Sequence, residues 1–389
     1  MEPDFRTGAD ILVAESFASL DGLRVGLIAN QTSRSGDGHL ADLIHDAPNV
    51  ELVALFGPEH GLRGDADAGL AVEDGVDDRT GVPVYSLYGS RREPDPAVLA
   101  GIDVLVFDIQ DIGARFYTYI ATMGESMEAA AQAGVPFVVL DRPNPLGGLL
   151  VDGYVLEPGF ESFVGPYPIP IQHGMTVGEL AAMVKGQGWI EGADSLDLSV
   201  VEVEGWTRAE LWSDAEAWIP TSPNIPRFEN ALVYPGMCLL EATTANEGRG
   251  TPNPFLQFGA PGLDNGKVVG ILNTDVPGVA AQALTYAPES IPGKSTNPRH
   301  LGTSLNGVTV TVNEPSEVRP LALGIAVLRA LVDQQGPEVL RQAGMARLAG
   351  TDRLYEALVR GDDAKTIVES WAEEVRAFEE LRRPYLLYD

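Results

Sequence analysis

Short apolar runs recur through the first 140 residues, and turn-forming or charged residues bound each of them. Runs of this length that are rich in Val, Ile and Leu are typical of buried strands. They predict five strands, at Leu23–Ala29, Val50–Phe56, Pro83–Leu87, Ile102–Phe107 and Val135–Leu140. Helical patterns lie between them at His39–His45 and Tyr117–Gln132. The alternation of strands and helices predicts an α/β domain with a mostly parallel sheet.

The pattern changes after Pro143, where proline and glycine become frequent. A helix is predicted over Thr176–Lys185, because Thr176 and Glu179 have the spacing of a capping box. The rest of the chain predicts strands at Val268–Leu272 and Val308–Val312 and helices at Ala322–Gln334 and Thr366–Leu381. We place a domain boundary near residue 235, which gives a first domain over 1–235 and a smaller one over 236–389.

The net charge of the chain excludes some kinds of binding partner. The chain has 26 Lys and Arg against 56 Asp and Glu, a formal net charge of -30. Such a surface repels nucleic acids and anionic membranes, so we expect neither as a partner. Only four of the basic residues are lysines, and an acidic, lysine-poor surface is typical of halophilic proteins, although a GC-rich genome also favours arginine.

The cysteine content and the apolar segments of the chain bear on disulfide bonds and on cellular location. The single cysteine, Cys238, excludes an internal disulfide framework. No apolar run approaches the roughly 20 residues of a membrane-spanning helix. The first residues lack the basic and apolar regions of a signal peptide. We therefore expect a cytoplasmic protein, or a chain whose leader is missing; its oligomeric state is left open.

Polar side chains follow three of the predicted strands. Glu59, His60 and Arg63 follow the second strand within a glycine-rich loop. The later strand ends contribute Asp108, Asp111, Arg115, Tyr117, Arg142 and Asn144. Because the carboxyl ends of parallel strands meet at one edge of a sheet, these residues predict a polar ligand site there. Each of them also has a purely structural interpretation, such as helix capping by an aspartate or an Arg115–Asp111 pair.

Common cofactor and catalytic motifs are absent. The first strand is followed by Asn30-Gln-Thr-Ser33 rather than a glycine-rich dinucleotide loop, which argues against a nicotinamide or flavin dehydrogenase. No P-loop, H-E-x-x-H or G-x-S-x-G motif occurs, and the five histidines lack metal-ligand spacing. We predict no cofactor and no bound metal. A Mg²⁺-dependent hydrolase that uses Asp108 and Asp111, and a non-catalytic binder of acidic sugars, stay open as alternatives.

The loop at residues 57–64 and the run Val106–Ile120 resemble the exo-β-N-acetylmuramidase family of glycoside hydrolases. Further matching segments occur in family order at residues 141–148, 168–176, 222–226, 247–251 and 385–388. The resemblance implies a Rossmann-like N-terminal domain with a mostly parallel sheet, a smaller mixed α+β C-terminal domain, and a cleft between them. It also implies the release of N-acetylmuramic acid from the non-reducing end of peptidoglycan fragments, without a nucleotide cofactor.

Glycoside hydrolysis usually requires two carboxyl groups. Glu59 is the first candidate, and Glu128 is the second because the family keeps a glutamate at that position. Glu241 and Glu247 are in reserve, and the acetamido group of the sugar is an alternative nucleophile. Arginine is the best partner for the lactyl carboxylate of the substrate. The substrate-binding candidates are His60, Arg63, Asp108, Asp111, Arg115, Tyr117, Arg142, Asn144, His173, Glu241, Glu247 and Arg249.

Overall fold

A computed structural model of the chain describes residues 5–64, 73–89, 91–212 and 217–389. The strands of this part are β1 Arg24–Ala29, β2 Arg34–Ser35, β3 Gly38–His39, β4 Glu51–Gly57, β5 Gly75–Val76, β6 Pro83–Ser86, β7 Val104–Asp108, β8 Phe137–Leu140, β9 Asp152–Val155, β10 Pro170–Gln172, β11 Leu198–Val201, β12 Gln257–Ala260, β13 Val279–Tyr286 and β14 Leu305–Val312. The α-helices are α1 Gly8–Ala14, α2 Leu40–Asp46, α3 Pro96–Leu99, α4 Tyr119–Ala133, α5 Val177–Gly186, α6 Phe228–Met237, α7 Asn265–Asp275, α8 Pro320–Gln335, α9 Gln342–Ala349, α10 Arg353–Arg360, α11 Ala364–Glu369 and α12 Ala372–Arg382.

The main sheet has seven strands in the order β11-β8-β7-β1-β4-β6-β5. All neighbours are parallel except β5, which runs antiparallel to β6. The chain moves outward from β1 through β4 to β6, then returns to the other side of β1 and continues through β7, β8 and β11. This is the doubly wound order of a Rossmann fold. It confirms the predicted α/β class and all five predicted strands of the first half.

Both faces of the central strands are buried, which explains their continuous apolar pattern. All five residues of β7 are buried. Leu105 and Phe107 join the core on the α4 side, whereas Val104 and Val106 join the core on the side of α1 and α2. Successive side chains of a strand point to opposite faces of the sheet, so each central strand contributes to two hydrophobic layers.

Local signals located several helices well. The capping box of α5 is present: Thr176 accepts a hydrogen bond from the amide of Glu179, and the Glu179 side chain accepts one from the amide of Thr176. The helices predicted at residues 39–45, 117–132 and 322–334 correspond to α2, α4 and α8. The predicted helix over 366–381 is divided into α11 and α12 at Ser370–Trp371.

The strand predicted at Val268–Leu272 is wrong, because these residues lie within α7. Asp264 caps this helix by accepting a hydrogen bond from the amide of Lys267 at 3.1 Å. Val268 and Leu272 are the buried residues of α7, and their spacing of four is that of one helix face. The two consecutive β-branched residues favoured a strand prediction. The structure instead forms a helix that buries one face.

The C-terminal region is a mixed α+β unit, as predicted. Its antiparallel sheet has the order β12-β14-β13; α7 packs beside the sheet, and α8 packs against α7. Helices α6 and α8 approach closely at Gly236 and Gly324: a Cβ atom on Gly236 would lie 1.7 Å from the carbonyl oxygen of Pro320. The proposed boundary at residue 235 falls inside α6, and it stays a prediction. No helix among the described residues is long and apolar enough to cross a membrane.

Candidate active site

A cleft of about 610 Å³ separates the Rossmann-like part from the C-terminal region. Glu59, Tyr88 and Val164 line it on the first side. The charged side chains of the other side are Glu241, Glu247, Arg249, Lys294, Arg299 and Arg347. Glu59 follows β4 and Tyr88 follows β6, so the first wall is built at the carboxyl edge of the parallel sheet, where ligands bind in this fold.

A tight turn after β4 presents Glu59 to the cleft. His60 and Gly61 both have positive φ values, of 73° and 78°, and the amide of Gly61 donates to the carbonyl oxygen of Pro58 at 2.9 Å. A Cβ atom at Gly57 would lie 2.9 Å from the amide nitrogen of Leu62. Gly57 and Gly61 therefore allow the chain to fold back at this point.

Two hydroxyl groups form hydrogen bonds to the Glu59 carboxylate. The Thr118 hydroxyl, just before α4, donates to Glu59 Oε2 at 2.9 Å. Burial, the charge of Glu59 and a hydrogen bond to Glu59 together raise the pKa of Tyr88 to about 12. Tyr88 is therefore a neutral hydroxyl donor across the physiological range of pH.

The opposite wall is a chain of ion pairs. Arg249 lies between two carboxylates: its Nη2 is 2.8 Å from Glu241 Oε1 and its Nε is 3.3 Å from Glu247 Oε1. Arg299 Nη1 lies 3.2 Å from Glu247 Oε2. The Glu241 side chain is 33% exposed, whereas that of Glu247 is 5% exposed. Burial and the neighbouring Glu241 raise the pKa of Glu247.

Asp108 and Arg142 form a buried pair away from this wall. Arg142 Nε and Nη2 donate to the two oxygens of Asp108 at 2.6 and 3.0 Å, while burial raises the pKa of Asp108. Asp108 ends β7 and Arg142 follows β8, and the Ser33 hydroxyl, which follows β1, donates to the Asp108 carbonyl oxygen. Both residues therefore connect strand ends and do not line the cleft.

These contacts leave the magnesium alternative without support. Both Asp108 oxygens accept hydrogen bonds from a guanidinium group, and a cation would have to displace it. Within the described ranges, no group of three or more His, Cys, Asp or Glu residues could hold a metal ion.

Arg63 and Arg115 also have structural partners. Arg63 Nη2 lies 2.8 Å from Asp42 Oδ1 and 2.9 Å from Asp77 Oδ2. Although burial opposes the shift, hydrogen bonds from Arg63 and Thr80 lower the pKa of Asp77 to about 2. Arg115 is fully buried, and its burial lowers the pKa of the guanidinium to about 9.

Arg115 connects the two halves of the molecule. Its guanidinium donates to the carbonyl oxygens of Tyr154, Ile169 and Leu348, each at 2.8 Å. Leu348 belongs to α9 in the C-terminal region. Arg115 thus pairs with backbone carbonyls and not with Asp111, so the ion pair considered from sequence is wrong, and its contacts do not support a substrate role.

Glu128 and Asn144 lie outside the lining of the cleft. Glu128 Oε2 accepts a hydrogen bond from the amide of Glu191 at 3.0 Å. Asn144 donates to the carbonyl oxygen of Met175 at 3.0 Å and accepts from the amide of Leu146 at 2.9 Å. Their contacts support a structural role for both residues and give no support to Glu128 as the second catalytic carboxylate.

A buried polar cluster adjoins the cleft behind Glu59. The Tyr117 hydroxyl donates to the Thr221 hydroxyl at 2.7 Å. His173 Nδ1 accepts a hydrogen bond from the amide of Met175, while its Nε2 lies 3.7 Å from Asp111 Oδ2. Asp111 Oδ2 also accepts from the amide of Gly113 at 2.7 Å. These predicted residues do not line the cleft, and their contacts support a structural role.

Several cleft residues were missed from sequence. Tyr88 directly follows a predicted strand, so the rule that found Glu59 was sufficient to find it. Lys294, Arg299 and Arg347 lie in a region without parallel strands, and no local pattern marks them. Of the predicted residues, the structure brings Glu59, Glu241, Glu247 and Arg249 together in the cleft.

Comparison with known proteins agrees with this architecture. Sequence models described as exo-beta-N-acetylmuramidase NamZ match the chain in two parts, the N-terminal model over residues 25–229 and the C-terminal model over 232–388. The peptidoglycan beta-N-acetylmuramidase NamZ of Bacillus subtilis (strain 168) is 40% identical over 392 residues, which cover 100% of this chain and 92% of that protein.

Solved structures show the same fold. A DUF1343 family protein from Bacteroides fragilis NCTC 9343, solved at 1.65 Å, superposes with a TM-score of 0.89 at 36% identity and covers 99% of both chains. A second DUF1343 family protein from that organism, solved at 1.30 Å, has a TM-score of 0.83 at 34% identity and covers 100% of this chain and 99% of its own.

Proposed function

Because this chain belongs to the exo-β-N-acetylmuramidase family, we propose that it is an exo-acting glycoside hydrolase that releases N-acetylmuramic acid from the non-reducing end of peptidoglycan fragments. Support for this proposal comes from the two family matches, which cover 25–229 and 232–388 in order. The observation that carries it is a cleft with carboxylates on both walls, Glu59 on one and Glu241 and Glu247 on the other. Glycosidases cleave the bond between two such groups.

Glu59 is the first catalytic carboxyl group of this proposal. The hydroxyl groups of Thr118 and Tyr88 both form hydrogen bonds to its carboxylate. Hydroxyl groups can rotate when a carboxyl group gains or loses a proton. Glu59 is therefore suited to exchange a proton with the oxygen of the scissile bond.

Glu241 is the second carboxyl group, and Arg249 is its positioning residue. Glu241 is the more exposed of the two carboxylates on its wall. The ion pair with Arg249, at 2.8 Å, holds its carboxylate in place on this wall. An ionised carboxylate can stabilise the positive charge that develops on the sugar ring or attack its anomeric carbon. If the acetamido group of the substrate attacks instead, Glu241 is dispensable.

The test compares a chromogenic N-acetyl-β-muramide with the matching N-acetyl-β-glucosaminide, each with and without chelator. We expect turnover of the muramide that the chelator does not change. The variants Glu59→Gln and Glu241→Gln should both lose activity, and Glu128→Gln, an equivalent change outside the cleft, should not. Tight binding of N-acetylmuramic acid without any turnover would contradict the proposal and favour a binding protein.

A further inference from the structure

The cleft carries more positive than negative side chains, although the whole chain has a formal net charge of -30. Four cationic side chains line it, against three carboxylates. Arg249 and Arg299 are neutralised by Glu241 and Glu247. The two remaining cations, Lys294 and Arg347, are exposed, and their side chains make no hydrogen bond or ion pair with any described residue.

Arg347 projects from a fixed helix. It lies in the last turn of α9, whose residues Gly344, Arg347 and Leu348 line the cleft. This spacing of three and four residues is that of one helix face. The Leu348 carbonyl accepts a hydrogen bond from the buried Arg115 at 2.8 Å, so the backbone beside Arg347 is tied to the Rossmann-like part. Gly344 has no side chain to fill the space one turn before Arg347.

We propose that Arg347, assisted by Lys294, binds the lactyl carboxylate of the N-acetylmuramyl residue and thereby selects muramides over glucosaminides. This inference rests on the proposed function. The lactyl carboxylate is the group by which muramic acid differs from glucosamine, and guanidinium is its best bidentate partner. The arginines singled out from sequence, at positions 63, 115, 142 and 249, already hold carboxylates or backbone carbonyls. Arg347 holds neither, so it can receive the substrate without breaking an existing pair.

The experiment measures kcat/KM of Arg347→Gln on three chromogenic substrates: the muramide, its lactyl amide and the glucosaminide. Losing a charge-assisted hydrogen bond commonly lowers the rate by about 10- to 100-fold. We expect that loss on the muramide and less than about threefold loss on the two uncharged substrates. Arg347→Lys should recover part of the preference, because it restores the charge without the fork of donors.

Arg341→Gln is the matched control. Arg341 is exposed, immediately precedes α9 and does not line the cleft, so the ratio of muramide to amide should stay at the wild-type value. Lys294→Gln should lower the ratio of kcat/KM on the muramide to kcat/KM on the amide, as Arg347→Gln does. Unchanged ratios in both Arg347→Gln and Lys294→Gln would overturn the inference.

Calorimetric binding separates this inference from the proposed function. N-acetylmuramic acid and N-acetylglucosamine are titrated into the wild type and into Arg347→Gln, and no turnover is needed. If the wild type binds N-acetylmuramic acid more tightly than N-acetylglucosamine and Arg347→Gln does not, the carboxylate site is supported. This holds even if the protein hydrolyses no substrate. Equal preference in both proteins would refute the site while leaving hydrolysis intact.

Discussion

Replacing Glu59 by Gln tests the catalytic role of this residue, which lines the first wall of the cleft. The amide keeps the length of the side chain, and its oxygen can still accept the hydrogen bond that Thr118 donates at 2.9 Å. The change removes the negative charge and the transferable proton, and it replaces one accepting oxygen by an NH2 donor. Because the turn at Pro58–Leu62 is held by backbone geometry, we expect the variant to fold.

The expected effect on the rate is large. General acid–base catalysis by one positioned group contributes about 100- to 10,000-fold, which corresponds to about 3–5 kcal/mol of transition-state stabilisation. We therefore expect kcat on a chromogenic muramide to fall by at least about a hundredfold. Binding of N-acetylmuramic acid should change much less, because Glu59 lies opposite the cationic wall that we propose to bind its carboxylate.

The assay also identifies which step uses Glu59. If it protonates the leaving oxygen, the loss should shrink on an aglycone acidic enough to leave without protonation, and it should grow on an alkyl aglycone. A thermal melt confirms folding, and Glu128→Gln serves as the control because Glu128 contacts the Glu191 amide outside the cleft. A folded Glu59→Gln variant that keeps more than about a tenth of the wild-type kcat would refute the catalytic role.

Three further predictions concern stability. Arg115→Met removes the donor to the carbonyl oxygens of Tyr154 and Leu348, whereas the Ile169 carbonyl keeps the amide of Leu156. At about 1–3 kcal/mol for each buried unsatisfied group, the free energy of unfolding in denaturant should fall by at least about 2 kcal/mol. Gly236→Ala would bring a Cβ atom to 1.7 Å from the Pro320 carbonyl oxygen, so the Tm of this variant should drop by several degrees. A Cβ atom at Gly270 would have nothing within 4 Å, so the control Gly270→Ala should keep or raise the wild-type Tm. Molar KCl should raise Tm and activity, because screening over about 3 Å weakens the self-repulsion of a chain of charge -30; a Tm that is equal in dilute buffer would contradict the halophilic interpretation.

Local patterns were sufficient for much of the fold. Strands such as Val104–Asp108 are buried on both faces and therefore appear as continuous apolar runs. The capping box of Thr176 and Glu179 involves residues only three positions apart, so it is visible in the sequence. The short apolar run at Val268–Leu272 is compatible with both the strand period of two and the helix period of 3.6. The structure makes it a helix, because α7 buries only one of its faces.

Part of the candidate site follows from sequence for a geometric reason. Parallel strands share the direction of their carboxyl ends, so a residue that follows β4 lies at the ligand-binding edge whatever the rest of the chain does. This rule located Glu59, and the family segment at residues 247–251 added Glu247 and Arg249. Glu241 was a further candidate on the second domain.

Only the tertiary structure decided which polar side chains face the cleft and which hold the chain together. Arg115 and Arg347 are the same residue type, yet one is buried on three carbonyl oxygens and the other is exposed in the cleft. The difference depends on residues far away in sequence, such as Leu348, which is 233 positions from Arg115. Charge and residue type are properties of the sequence, but the partner that neutralises a charge is determined by which distant segments the fold brings within hydrogen-bonding distance.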